Sequence, residues 1–294
     1  ANWGNVVNRV LSMTQRYFGG AVPEPGELTA ADTALLAAID EGFATVAELY
    51  DRARPRYPAA LFADLHALAG LTNGSRGLEI APGTGVATVP LAARGYAVTA
   101  VEMGANLAAV ARRNLAGFPN VRVELSRFED YPLEAASFDL VCCATAFSWL
   151  DPAVRVDKSA LALRPGGFLG VWDTHHVAGG TGQFFVDSQE CYERWMPGTE
   201  PGIRLEPAAD IVPKSYGLES HPAFEAPVIR DYVVEIPYTT ETYLDVLQTY
   251  SGHIALEPEN ADGLYRCIRE LIDNKYGGHI EKAYLFQLIL ARRR

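Results

Sequence analysis

Long apolar runs are missing from this sequence. No segment approaches the ~18 consecutive apolar residues of a membrane-spanning helix, which excludes a helical membrane protein. Basic residues are in deficit too. With 25 Lys and Arg against 36 Asp and Glu, the net charge of −11 opposes a phosphate backbone; a general nucleic-acid binder is excluded, and a small or neutral partner fits better. Cysteine is scarce, and no two of Cys142, Cys143, Cys191 and Cys267 have the two-residue spacing of a zinc or redox motif. Cys142 and Cys143 adjoin inside an apolar run and read as small buried hydrophobes in a reducing cytoplasm. His-x-x-x-His and His-Glu-x-x-His are absent, and Asp173 near His175 is too little to specify ligation, so no metal site is expected. No signal peptide opens the chain, so a cytoplasmic location is expected; Ala1 in place of methionine points to a processed, trimmed or partial chain. Low-complexity tracts and repeats of 20–50 residues are lacking as well.

What is present is an ordinary globular composition, 49% hydrophobic and 21% charged over 294 residues, enough for one large domain or a domain with an appendage. The first 50 or so residues read as a helix, a Gly/Pro break and a second helix with Thr29 or Asp32 as N-cap. "GNVVNR", "YFGG" and "VPEPGEL" resemble the start of the anticodon-binding helical domain of methionyl-tRNA synthetase. That resemblance implies that Asn5 and Arg9, on one helix face, stand where the family meets the anticodon. The family's later tryptophan and remaining bundle helices have no counterpart, so a remnant fused to another fold is the expectation, not tRNA recognition.

From Tyr50 onward, apolar runs at 77–81, 97–102, 121–125, 138–143 and 167–172 alternate with helical patterns at 86–94, 104–116 and 152–163. This is the signature of βαβ units and a parallel sheet. Runs at 228–238 and 281–293 add two strands around a helical 240–274. The first strand leads into Ala81-Pro82-Gly83-Thr84-Gly85, a glycine turn that lets backbone approach a ligand at a helix N-terminus. The dinucleotide template G-x-G-x-x-G fails at Thr88. Two acids sharpen the reading. Glu79, inside the strand ahead of the turn, would disfavour a pyrophosphate and favour an ammonium or sulfonium group. Glu102, ending the second strand, has the ~20-residue separation of an acid that binds both ribose hydroxyls. Together they describe a cationic amino-acid nucleoside.

"LEIAPGTG", "VTAVEMG", "FDLVCCATAFSWLD" and "ALRPGGFLGVW" together resemble the class I S-adenosylmethionine-dependent methyltransferases, bacterial type 11 small-molecule group, from about Tyr50 to the C-terminus. The resemblance implies an α/β, Rossmann-like, seven-stranded doubly wound sheet of order 3-2-1-4-5-7-6 with the last strand antiparallel. Lid insertions fall at about 174–227 and 238–280, behind a helical N-terminal appendage of residues 1–50. By resemblance S-adenosylmethionine is the cofactor: Glu79, Ala81, Gly83 and Gly85 border its methionine moiety, Glu102 holds the ribose and Met103 lies on the adenine. Ala81 replaces the family's first turn glycine, which is tolerable if its φ is negative. Where many relatives have an acid near the adenine amino group this chain has Arg127-Phe128-Glu129, which leaves that contact to Phe128 backbone and Glu129.

In "DRARPRYP", Arg54 and Tyr57 either meet the cofactor carboxylate and close its pocket, or Pro55 and Pro58 simply set an extended linker. Ala144, Phe147 and Trp149 follow the fourth strand, where a loop meets cofactor and acceptor; core aromatics would look the same. Ser148 stands where many relatives have His. His175 and His176 follow the fifth strand, and at most one of two adjacent residues on extended chain faces a site. Tyr250 and His253 suit either an acceptor cavity or core duty. Methyl transfer depends mainly on alignment and water exclusion; where the acceptor needs a base, His176 or His253 is the candidate. The alternatives are an NAD-dependent oxidoreductase, disfavoured by the in-strand acid and the missing third glycine, and a non-catalytic S-adenosylmethionine-binding module. The partner expected is a small-molecule acceptor, with neither nucleic acid nor membrane.

Overall fold

The computed structural model describes residues 46–294. Asn5, Arg9, Thr29, Asp32 and the two N-terminal helices lie outside the described residues. In chain order the helices are α1 (Ala47–Ala53), α2 (Ala59–Leu68), α3 (Thr88–Ala93), α4 (Ala105–Asn114), α5 (Arg155–Ala162), α6 (Gly182–Asp187), α7 (Gln189–Trp195), α8 (Thr240–Leu247), α9 (Ser251–Ile254) and α10 (Pro258–Lys275). The strands are β1 (Arg76–Ile80), β2 (Ala97–Glu102), β3 (Val121–Leu125), β4 (Phe138–Ala144), β5 (Leu163–His176), β6 (Val228–Thr239) and β7 (His279–Arg292). Among the described residues no helix is long and apolar enough to cross a membrane. The described residues divide into two units, a larger one of Pro55–Gly182, Arg204–Pro237 and Glu281–Arg294, and a smaller one of residues 46–54, Gln183–Ile203 and Tyr238–Ile280.

The larger unit is built on a seven-stranded sheet of order β3-β2-β1-β4-β5-β7-β6. β1 to β5 pair in parallel, and β7 runs antiparallel to β5, with Trp172 opposite Leu288. The order and the antiparallel closure are those the resemblance implies. β4, "FDLVCCA", is nearly continuous in apolar residues because a central parallel strand is covered on both faces. One face packs Leu78, Ile80, Val141, Cys143, Val171 and Ile289 into a single core. On the other, Phe62 of α2 meets Trp172 edge to face at 6.0 Å. The edge strand β6 alternates half-buried with exposed residues, among them Arg230, Asp231 and Glu235; charges on an edge discourage pairing with a second chain. The strand order reverses across β1 and β4, and ligands of open α/β sheets gather at the carboxyl ends of strands on either side of such a reversal.

The smaller unit is helical. Thr239 caps α8 through a capping box with Thr242, and Pro258 opens α10 at the position where its missing N–H costs nothing. α7 lies against α10. At their contact Gly263 is required, because a Cβ there would sit 2.3 Å from the Trp195 ring. Cysteine use differs between the two units. Cys191 and Cys267 form a disulfide with Cα atoms 5.7 Å apart, whereas Cys142 and Cys143 are free and buried. The partners are 76 residues apart in sequence, so no local spacing announces the bond.

Candidate active site

The turn after β1 is held from both sides. Ala81 N–H donates to Val101 O (2.9 Å), and Gly85 N–H donates to Pro82 O (3.0 Å). Glu102, at the end of β2, accepts from Gly83 N–H at 2.9 Å and from Gly104 N–H at 2.8 Å, one on each carboxylate oxygen. This fixes the carboxylate against the turn. Ala81 takes φ +51, so the condition under which an alanine is easily tolerated there, a negative φ, is not met. The turn needs a left-handed residue to leave the strand, and an alanine there costs about 1–2 kcal/mol.

Glu79 is fully buried in β1, opposite Ala100 and Cys142, and neither of its oxygens has a hydrogen bond. Burial pushes its carboxyl up to about 7; the Thr88 hydroxyl works against the rise, and the charge of Glu102 adds to it. The hydroxyl of Thr84, also fully buried, lacks a partner, and the buried Thr88 hydroxyl faces Glu79 at a looser distance than a regular hydrogen bond. Buried polar atoms are normally satisfied. A concentration of unsatisfied ones behind a glycine turn therefore fits a bound polar, cationic group. Met103, just past Glu102, is 52% exposed and offers an apolar edge.

The remaining cofactor candidates divide. Phe128 is buried in the core with Lys158 Nζ 5.4 Å from its ring centroid, and its carbonyl accepts from Tyr131 N–H at 3.3 Å. Glu129 accepts from Asp151 N–H at 3.1 Å and so also pins the loop after β4. Ala144 ends β4, and the next residue, Thr145, has φ +60. Thr145 Oγ1 lies 3.2 Å from Tyr57 OH and 3.1 Å from Thr174 Oγ1, so three hydroxyls line the ends of β4 and β5. Tyr57 is anchored there by the edges of Trp172 (5.9 Å) and Phe286 (5.7 Å). Arg54 belongs to the smaller unit, between the rings of Tyr50 and Tyr250 at 4.7 and 4.6 Å, and donates to Thr249 O.

Of the acceptor and base candidates, Phe147 is fully buried in the core, while Trp149 is 44% exposed. His175 is half-buried with Nε2 unpartnered; burial lowers its pKa and the nearby Asp173 opposes that. The His176 ring lies 5.5 Å from that of Tyr284. His253 and Tyr250 are buried in the smaller unit, where Tyr192, Tyr250 and Tyr265 surround the imidazole at 5.7, 6.0 and 5.9 Å. Sequence reasoning missed the group around Asp173, which is buried, accepts from Tyr216 OH at 2.7 Å and stands 3.7 Å from Lys214 Nζ. It also missed Thr145, although its place directly after a central strand was a usable signal. Lys282 is buried on β7 with its ammonium 5.5 Å from the Tyr284 ring, and burial brings it down to about 7.

Residues 78–171, from β1 into β5, match the methyltransferase domain family. An uncharacterised methyltransferase of Mycobacterium tuberculosis (strain ATCC 25618 / H37Rv) is 37% identical over 133 residues, 45% of this chain and 52% of that protein. The chain thus spans about half the length of the curated relatives it matches. A solved protein from Anaeromyxobacter dehalogenans, whose name proposes a type II methyltransferase, aligns with a TM-score of 0.58 at 22% identity over 82% of this chain and 97% of its own. That likeness shows the fold alone. The methionine–tRNA ligase of Beutenbergia cavernae is 52% identical over 56 residues, 19% of this chain and 9% of the ligase.

Proposed function

We propose that this protein transfers a methyl group from S-adenosylmethionine to a small-molecule acceptor. The observation that carries the reading is the Glu102 carboxylate, oriented by the Gly83 and Gly104 amides at the end of β2. Such a carboxylate suits the two hydroxyls of a ribose. Behind it, the unsatisfied Glu79 favours the cationic amino-acid end of the same molecule. Met103 would lie on the adenine, with the Phe128 backbone and Glu129 toward its amino group; Ala81, Gly83, Gly85 and Ala144 would line the remainder. The bound cofactor supplies an activated methyl carbon on a positively charged sulfur. The chain's own contribution is to align the acceptor and exclude water. Tyr57, Trp149 and His175 are assigned to that task, and His176 takes the proton of an acceptor that must lose one.

Calorimetric titration with S-adenosylhomocysteine tests the reading. The intact protein should bind it, and Glu102→Ala should bind at least tenfold more weakly, about 1.4 kcal/mol or more. An unchanged dissociation constant in Glu102→Ala would refute the ribose assignment.

A further inference from the structure

In the smaller unit the Cys191–Cys267 disulfide ties α7 to α10 and forms part of the lining of an open groove of about 300 Å³. Glu190, Arg194, Glu270 and Lys275 stand around the groove. Cys191 is buried and Cys267 is partly exposed, so an approaching thiolate meets Sγ of Cys267 first. The two free thiols differ: Cys142 and Cys143 are fully buried, and burial drives both pKa values far up, which keeps them protonated and unreactive.

The bond joins two helices that pack closely on each other. Tyr192, next to Cys191, meets His253 edge-on at 5.7 Å, and Tyr265, two residues before Cys267, stacks on it at 5.9 Å. Trp195 of α7 rests directly on Gly263 of α10. His253 itself is 2% exposed, both ring nitrogens lack hydrogen-bond partners, and burial holds its pKa well below the ordinary value. An imidazole so placed stays neutral and unsatisfied only while the walls around it are held closed.

We propose that Cys191–Cys267 is a thiol–disulfide exchange site at which a dithiol reductant unlocks α7 from α10 and opens the aromatic cage around His253. One thiolate of the reductant attacks Cys267 Sγ; the S–S bond breaks, and Cys191 leaves as a thiolate that takes a proton from solvent. The second thiolate of the reductant then attacks its own sulfur in the mixed disulfide. Cys267 is released as a thiol and the reductant leaves as a disulfide. Two electrons and two protons have passed to the protein. This site is independent of the proposed methyl transfer.

The full chain is equilibrated with dithiothreitol and its oxidised form at a series of ratios under native conditions, and free thiols are alkylated and mapped by mass spectrometry. Cys191 and Cys267 should interconvert reversibly while Cys142 and Cys143 stay unlabelled. On reduction, Trp195 emission, isolated by difference against Trp195→Phe, should shift to the red. The His253 ring signal in NMR, assigned with His253→Asn, should begin to titrate near the ordinary value of ~6.5. The double variant Cys191→Ser/Cys267→Ser should show the reduced signals with or without dithiothreitol. The proposal fails if the bond resists dithiothreitol until the protein unfolds, or if reduction leaves both Trp195 emission and His253 titration unchanged. Should the double variant not fold, the comparison of oxidised with reduced wild-type protein decides.

Discussion

Replacing Glu79 by Gln keeps the side chain's size and removes its ability to ionise. The carboxyl is fully buried without a hydrogen bond, and burial raises it from an ordinary 4.5 to about 7. Below pH 4.5 it is neutral in both folded and unfolded chains, so it imposes no electrostatic penalty. Between pH 4.5 and about 7 the unfolded chain loses this proton first, so folded stability falls as pH rises. Above about 7 the loss is complete and amounts to about 3 kcal/mol, from ~1.4 kcal/mol per pH unit across that gap. The Gln variant lacks this slope. Its amide is no better satisfied than the protonated acid, so the two proteins should be similarly stable near pH 4.5, and the variant should lead by up to about 3 kcal/mol at pH 8. Urea unfolding of both proteins from pH 4.5 to 8.5 measures the difference, in which all other titrating groups cancel. A gap that stays constant across this range would refute the reasoning, because it would mean that Glu79 ionises in the folded chain as readily as in the unfolded one. On the proposed function, saturating S-adenosylmethionine should narrow the gap at pH 8, since its cation stabilises the ionised acid.

Ala81→Gly relieves φ +51. The relief of about 1–2 kcal/mol outweighs the ~0.4–1 kcal/mol of added freedom in the unfolded chain, so a gain of up to about 1 kcal/mol in urea unfolding is expected; a loss of stability would contradict it. Tyr216→Phe removes the 2.7 Å bond to the buried Asp173 and should cost about 1.5–3 kcal/mol in the same assay; no change would show that the carboxylate is satisfied without it. Gly263→Ala places a methyl group 2.3 Å from the Trp195 ring. It should cost about 1–3 kcal/mol and alter Trp195 fluorescence, and an unperturbed variant would show that α7 and α10 do not pack so closely.

The sheet was legible because its strands are written as apolar runs of the right length. β1, β2, β3 and β4 begin and end within a residue of the runs that mark them. Glu79 and Glu102 stood out because acids are rare inside buried parallel strands. The sign of φ at Ala81 was not legible, since a backbone torsion is imposed by the neighbouring strand and turn, not by the residue's own chemistry. Phe147 and Trp149 show a second limit. Two aromatics after one strand read alike, yet a single 3₁₀ turn sends Phe147 into the core and leaves Trp149 half in solvent. Asp173 owes its partner to Tyr216, 43 residues away in a loop whose sequence has no periodicity to locate it.

The strand formed by residues 279–292 does not border the sheet; it occupies an inner lane between β5 and β6. During synthesis the other six described strands emerge first, and until this one arrives two neighbours present open edges with a gap between them. Pairing across such long stretches of chain is slow, and open edges invite union with other nascent polypeptides. A ribosome stalled within the codons for this strand would therefore release something far more adhesive than a protein shortened by a few dispensable residues.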